Sequence, residues 1–406
     1  MRVVFIQPNY PPEQRYFTRG LARVGAEVIG VGDSHEDNLD PDVRASLAGY
    51  LRVPHLHAEE RAARTIADAV RHLKVDRVES LWEPTVLLAA RVRELLGIDG
   101  MSRDCVLGFR DKVTMRERCE AAGVRVPKSR RALTVGEARR AAEEIGFPLV
   151  VKPIAGAGSA DTYRCDDAAA LEEALRKTGH VAEISVEEFI DGEEFTCDTV
   201  CIDGVPVFES VSRYSPRPLI FRSEQWISPA QVTFRDPHTP ELMPGVELGR
   251  DVVKALGMGT GFTHMEWYRK PDGEVVLGEI GCRNGGGHLV DMMNWANDFD
   301  VYTEWARAVC HGEFAAEPAR KYHVGMVFKR AVGDGRITGV VGREMFHHAA
   351  GEWLVADTLL PVGSHRRDWK ATLVSDGFLV VRHPELGKVH ALMDRAINEV
   401  RLYAGG

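Results

Sequence analysis

The sequence predicts an α/β protein: an N-terminal parallel α/β domain, a two-lobed middle region and a small C-terminal subdomain. Three observations lead there. Residues 1 to about 100 alternate strand-like and helix-like runs, which implies a parallel sheet with crossover helices. At 406 residues the chain is too long for one core and suits two or three packed units. Farther on, Asp191-Gly192 and Asp272-Gly273 each separate two strand-like runs, the mark of a tight turn.

The elements follow in order. VVFIQ is a strand, PEQRYFTRGLARVG a helix, AEVIGVG a strand, AARTIADAVRHLKV a helix, RVESLW a strand and PTVLLAARVRELLG a helix. The first strand is not followed by a GxGxxG fingerprint, which argues against a dinucleotide site there. Residues 1–103 therefore read as the first domain. Residues 104–185 form a small lobe with the amphipathic segment DKVTMRERCEAAG and the buried run FPLVVKP. Residues 186–315 form a second lobe of strands, a long loop and a hairpin, and residues 316–406 a subdomain that ends in the helix HALMDRAINEVRLY.

Composition narrows the class. A hydrophobic share of 44% and a charged share of 27% describe a soluble globular protein. The net charge of −9 disfavours nucleic acid and anionic membrane as partners. No apolar stretch reaches membrane-span length, and MRVVFIQPN reads as a first strand rather than a signal peptide, so a cytoplasmic setting is expected. Seven scattered cysteines without a CxxC pair read as reduced thiols, not disulfides or zinc ligands.

The chemistry centres on Glu266 in THMEWY and Glu279 in VVLGEIGCRN. With Asp272-Gly273 as a two-residue turn, the register sets the two glutamates directly opposite, on one face of the sheet. Opposed carboxylates in an apolar run call for a cation, and their hard oxygens suit Mg²⁺. Arg283 follows close enough to stand beside the same ion. Upstream, Lys152 ends the buried run LVVK and needs an anionic partner. The next loop, with Gly156, Gly158 and Ser159, is small enough for its amides to approach phosphate. SVEEFIDGEEF reads as two short strands around a tight turn, offering Glu187 and the backbone of Glu188, Phe189 and Ile190 to a base, and Glu194 to a ribose. In the loop 211–231, Arg213, Arg217 and Arg222 are candidate carboxylate binders, and Tyr214 and Trp226 candidate pocket walls. His264 reads as a packed core histidine or a partner of Glu266, the former favoured.

A lysine before a helix (Lys112), a strand-end lysine in VVKP, a small-residue loop, ExxIxGxEF and a hairpin ending in ExxxR occur in that order. Over roughly residues 104–315 this resembles the ATP-grasp superfamily, and the C-terminal segment resembles that of its carboxylate–amine ligases, including L-amino-acid ligases that make dipeptides. The resemblance implies an α+β ATP-grasp fold, with ATP bound by Lys112, Lys152, the glycine loop and the segment Glu187–Glu194. It implies Mg²⁺ or Mn²⁺ on Glu266 and Glu279, and Arg283 against the transferring phosphoryl group. ATP-driven amide formation through an acyl phosphate follows, with small-molecule carboxylate and amine substrates, one of them an amino acid. A homodimer is left open. Many members carry an asparagine two residues after the second metal glutamate; here that residue is Gly281, and Asn284 or water would take its duty, Asn284 being also a candidate substrate contact. The competing readings are a superfamily ligase or carboxylase for a non-amino-acid carboxylate, and a degenerate ATP-binding regulator.

Overall fold

The computed structural model describes residues 1–154, 161–372 and 374–406. Its first unit is a parallel sheet of β1 (Arg2–Ile6), β2 (Glu27–Gly32), β3 (Gly49–Arg52) and β4 (Arg77–Ser80), ordered β3-β2-β1-β4. Around it lie α1 (Gln14–Arg23), α2 (Pro41–Ser46), α3 (Glu59–Val70) and α4 (Val86–Leu96). The strands and helices expected from the alternation are present. The short α2 and β3 are additions, in a polar stretch with no apolar period to announce them. Strand β1 is buried on both faces, as parallel strands usually are. Val4 and Ile6 pack with Ile66, Leu88 and Val92, while Val3 and Phe5 join Phe17 and Trp305.

Helices α5 (Arg103–Arg110) and α6 (Lys112–Ala121) lead to a small antiparallel sheet. It contains β5 (Ser129–Ala132), β6 (Leu149–Pro153), β7 (Tyr163–Cys165) and β8 (Ile184–Glu188), ordered β5-β8-β6-β7. Helices α7 (Val135–Ile145) and α8 (Ala168–Lys177) cover it, α7 opening with a capping box between Thr134 and Glu137. Leu149, Val151 and Val186 meet Ala138 and Leu171 in its core.

The rest is built on one eight-stranded antiparallel sheet. Its first strands are β9 (Glu193–Ile202), β10 (Val205–Ser215) and, after the short α9 (Pro218–Phe221), β11 (Ala230–Thr233). Then come α10 (Met243–Ala255), the hairpin β12 (Gly261–Arg269) and β13 (Val275–Gly281), α11 (Leu289–Asn297), α12 (Val301–His311) and β14 (His323–Phe328). The chain ends with β15 (Arg336–Val341), α13 (Arg343–Ala350), β16 (Leu354–Asp357), β17 (Phe378–His383), α14 (Leu386–Glu399) and β18 (Arg401–Gly405). The sheet order is β13-β12-β9-β10-β11-β14-β17-β16.

Two expectations change here. Strands β8 and β9 are not a hairpin: they belong to different sheets, and residues 189–192 are the crossing between them. The boundary expected at 185/186 falls inside β8, which completes the small sheet. The segment expected as a small C-terminal subdomain shares the large sheet, which β14, β16 and β17 extend; β15 and β18 pair separately. The first unit is locked to the large sheet through α1 and α12. A Cβ on Gly20 would come within 2.5 Å of the Tyr302 carbonyl oxygen, so glycine is what lets the helices touch. Phe17 meets Tyr302 and Trp305 edge-on, at 4.8 and 5.1 Å between centroids. All seven cysteines are free thiols, as expected.

Candidate active site

Strand alternation gives β9 two unlike faces. Phe195, Cys197 and Cys201 enter the core beneath α10, while Glu194, Thr196 and Asp198 point the other way. Register carries the polar face across the sheet. Tyr268 lies beside Glu194, Glu266 beside Thr196, and His264 beside Asp198. Glu279 of β13 then lies opposite Glu266. Buried polar groups need partners. Asp198, fully buried, accepts from Thr196 Oγ1 at 2.8 Å and lies 2.7 Å from His264 Nδ1. His264 Nε2 is 3.7 Å from Glu266, so this histidine is both packed and a partner of the carboxylate. Burial pulls the His264 pKa down, but Asp198 outweighs it and lifts the imidazole to about 9.

The opposition of Glu266 and Glu279 matches the sequence expectation, by another route. The hairpin loop has three residues, Pro271 to Gly273, because Gly273 adopts φ +89° and Arg269 pairs with Val275. That shifts the register by one residue. A bulge at Gly278 shifts it back, since Trp267 pairs with Leu277 while Glu266 pairs with Glu279.

The cation that opposed carboxylates call for is an ammonium. Lys112, first residue of α6, forms an ion pair with Glu279 Oε2. Burial pushes the Glu279 pKa up, yet Lys112, Lys152 and Arg283 outweigh burial and hold it at about 2. Glu266 has looser neighbours, the Tyr214 hydroxyl at 3.5 Å besides His264, which leaves it acceptor capacity. An oxygen-only pair with spare lone pairs, already facing a positive charge at Glu279, fits a hard divalent ion such as Mg²⁺.

Lys152 finds its anionic partner in Glu187, at 2.7 Å. Arg116 of α6 grips the same carboxylate with two bonds of 2.6 Å. The Glu187 side chain is therefore sealed, and braces Lys152 instead of facing an open base site as expected. Burial pushes Glu187 up, and Lys152 and Arg116 more than reverse this. Glu188, the last residue of β8, pairs with Arg125 at 2.8 Å, and its backbone N–H donates to the Lys128 carbonyl at 2.8 Å. Gly156, Gly158 and Ser159 lie outside the described residues.

Arg283 is positioned by a residue that the sequence reading missed. Glu83, 200 positions earlier, accepts from its Nε at 2.6 Å, and Arg283 Nη1 donates to the Asn284 carbonyl at 2.8 Å. Glu83 follows the carboxyl end of β4, where parallel sheets place their ligand-binding groups, and that signal could have found it. A Cβ on Gly281 would lie 3.3 Å from Arg283 Cγ and 3.4 Å from Glu83 Oε2. Glycine there clears the Arg283–Glu83 pair. Asn284 does not take a metal ligand's place: it is buried, its Oδ1 accepts from Gln14 Nε2 at 3.3 Å and its Nδ2 donates to the Gly285 carbonyl.

The three loop arginines separate. Arg213 pairs with Glu193 at 2.8 Å, away from the carboxylate face, and Arg222 donates to the Lys370 carbonyl. Arg217 enters the site, with Nε 3.3 Å from Glu194 and Nη1 2.9 Å from the Ile190 carbonyl oxygen. Burial and then Glu266 push Glu194 up to about 8, Arg217 holding it back. The Tyr214 hydroxyl lies 3.5 Å from Glu266, whereas Trp226 is 80% exposed.

The chain has known counterparts in sequence and in fold. Residues 145–291 match the ATP-grasp domain family. An L-arginine-specific L-amino acid ligase of Bacillus subtilis is 29% identical over 225 residues, 54% of each chain. An alanine–anticapsin ligase of Bacillus subtilis strain 168 is 25% identical over 288 residues, 65% of this chain and 60% of that one. The chain spans about half the length of the curated relatives it matches. In structure it is similar to an L-amino acid ligase from Bacillus licheniformis, with a TM-score of 0.78 and 21% identity over 100% of this chain and 99% of that one.

Proposed function

We propose, from the premise that the chain carries an ATP-grasp domain, that it is an ATP-dependent carboxylate–amine ligase with an amino acid as one substrate. The observation that supports this reading best is the convergence on Glu279 of Lys112, Lys152 and Arg283, beside the opposed Glu266. Lys112 and Lys152 bind phosphate oxygens in this reading, Lys152 kept in place by Glu187 and Arg116. The backbone from Glu188 to Ile190 meets the adenine and Glu194 the ribose. Glu266 and Glu279 hold Mg²⁺, which when bound lowers the charge barrier between one anion and another. Arg283, aimed by Glu83, stabilises the charge that builds on the transferring phosphoryl group.

A substrate carboxylate oxygen attacks the γ-phosphorus, the bond to ADP breaks, and an acyl phosphate forms. An amine nitrogen then attacks the acyl carbon, loses a proton and releases phosphate, leaving an amide. The chain's part is positioning and charge compensation. No helix among the described residues is long and apolar enough to cross a membrane, and small-molecule substrates in the cytoplasm suit the reading. The test is a screen of amino acids in pairs for coupled products. ADP and phosphate are expected; AMP and pyrophosphate would remove the mechanism, and no nucleotide turnover with any pair would favour a regulator.

A further inference from the structure

Arg217 makes contacts that an adenosine would need. Its guanidinium lies 4.9 Å from the ring centroids of both Phe189 and Tyr268, a flat cation between two aromatic faces. Its Nη1 donates to the Ile190 carbonyl, a backbone acceptor suited to an exocyclic amine. Its Nε faces Glu194, whose carboxylate suits ribose hydroxyls. The side chain is only 13% exposed, so this is a seated group. The next turn of chain is tied down separately, Arg330 Nη1 donating to the Phe221 carbonyl at 2.8 Å and to Glu224 at 2.9 Å.

We infer that Arg217 is a built-in competitor of the nucleotide: its guanidinium fills the adenosine seat between Phe189, Tyr268, Ile190 and Glu194 and must swing out before adenosine enters. The inference rests on the nucleotide site proposed above. It makes apparent affinity the intrinsic affinity multiplied by the fraction of molecules in which the seat is open. It also predicts a split within the ligand, because only the adenosine half meets Arg217, while phosphates meet Lys112 and Lys152.

The experiment is calorimetry of MgADP and of magnesium tripolyphosphate on the full chain, its R217M variant and its R217K variant. Methionine keeps the aliphatic stem and removes the fork; lysine keeps the charge without the flat donor array, and serves if R217M folds poorly. MgADP binding about 3- to 10-fold tighter in R217M, smaller in R217K, with tripolyphosphate binding unchanged, is the expected result. Unchanged or weaker MgADP binding in both variants, with normal binding in the parent chain, overturns the competitor and leaves the nucleotide site standing. Tightening of tripolyphosphate to the same degree overturns it also, since the gain would then not come from the adenosine half of the ligand, and loss of a cation cannot by charge alone strengthen binding of an anion. A parent chain that binds neither ligand sinks the nucleotide site itself and the competitor with it.

Discussion

Glu279 carries a low pKa because three cations surround it, so its replacement tests charge more than shape. Glu279→Gln keeps volume and a hydrogen-bond acceptor for Lys112, but leaves Lys112, Lys152 and Arg283 with less compensation. The fold should be retained, and turnover should fall by about 10²-fold or more. Near-normal turnover at ordinary Mg²⁺ would show that Glu279 is no ligand. Glu194 supplies the opposite case. Its folded pKa of about 8 stands above the ordinary 4.5, so the folded state holds the proton more tightly. That contribution to stability is whole below about pH 4.5 and disappears as pH rises through 8. Glu194→Gln should therefore flatten the decline in stability between pH 5 and pH 8.5 in urea unfolding. Parallel declines in both proteins would mean that Glu194 is ionised throughout.

At the scale of elements, what was legible in the sequence was local. EEF reads as the start of a strand that offers Glu194, and the register of β9 shows that Glu194, Thr196 and Asp198 share one face. Hairpin chemistry brought Glu266 opposite Glu279, although a three-residue loop and the Gly278 bulge replace the simple turn, because register depends on where a glycine takes positive φ. Sheet membership was not legible. Nothing within SVEEF or EEFTC says that β8 and β9 belong to different sheets, or that β14 joins β11, since those pairings are decided by partners distant in sequence. The Arg116–Glu187 clamp, 71 positions apart, was hidden for the same reason. Glycine positions now give the elements testable contacts. In α10, a Cβ on Gly245 would fall 2.1 Å from Cζ2 of the fully buried Trp267. Gly245→Ala would gain up to about 1 kcal/mol in helix propensity. Overpacking, at about 1–3 kcal/mol, should exceed this gain and leave a net cost of up to about 2 kcal/mol, read as a lower urea midpoint. A raised midpoint would mean that α10 moves outward freely.

Across the whole molecule, the site is assembled from three units, each supplying what the others lack. The large sheet provides the carboxylates, the small lobe and α6 provide Lys152 and Lys112, and the first domain provides Glu83. Close packing of α1 on α12 fixes the first domain against the sheet, so Glu83 reaches Arg283 from a rigid frame. If Glu83 works only by aiming that guanidinium, its loss should resemble a partial loss of Arg283. Arg283→Ala should lower single-turnover ADP formation by about 10²-fold or more, with a much smaller change in ADP affinity by calorimetry. Glu83→Gln should lower the same rate less, and the double variant should be no slower than Arg283→Ala alone, because both act through one group. Additive losses would instead give Glu83 a contact of its own with substrate. Equal losses in rate and ADP affinity for Arg283→Ala would make the arginine an affinity residue and detach the first domain from the chemistry.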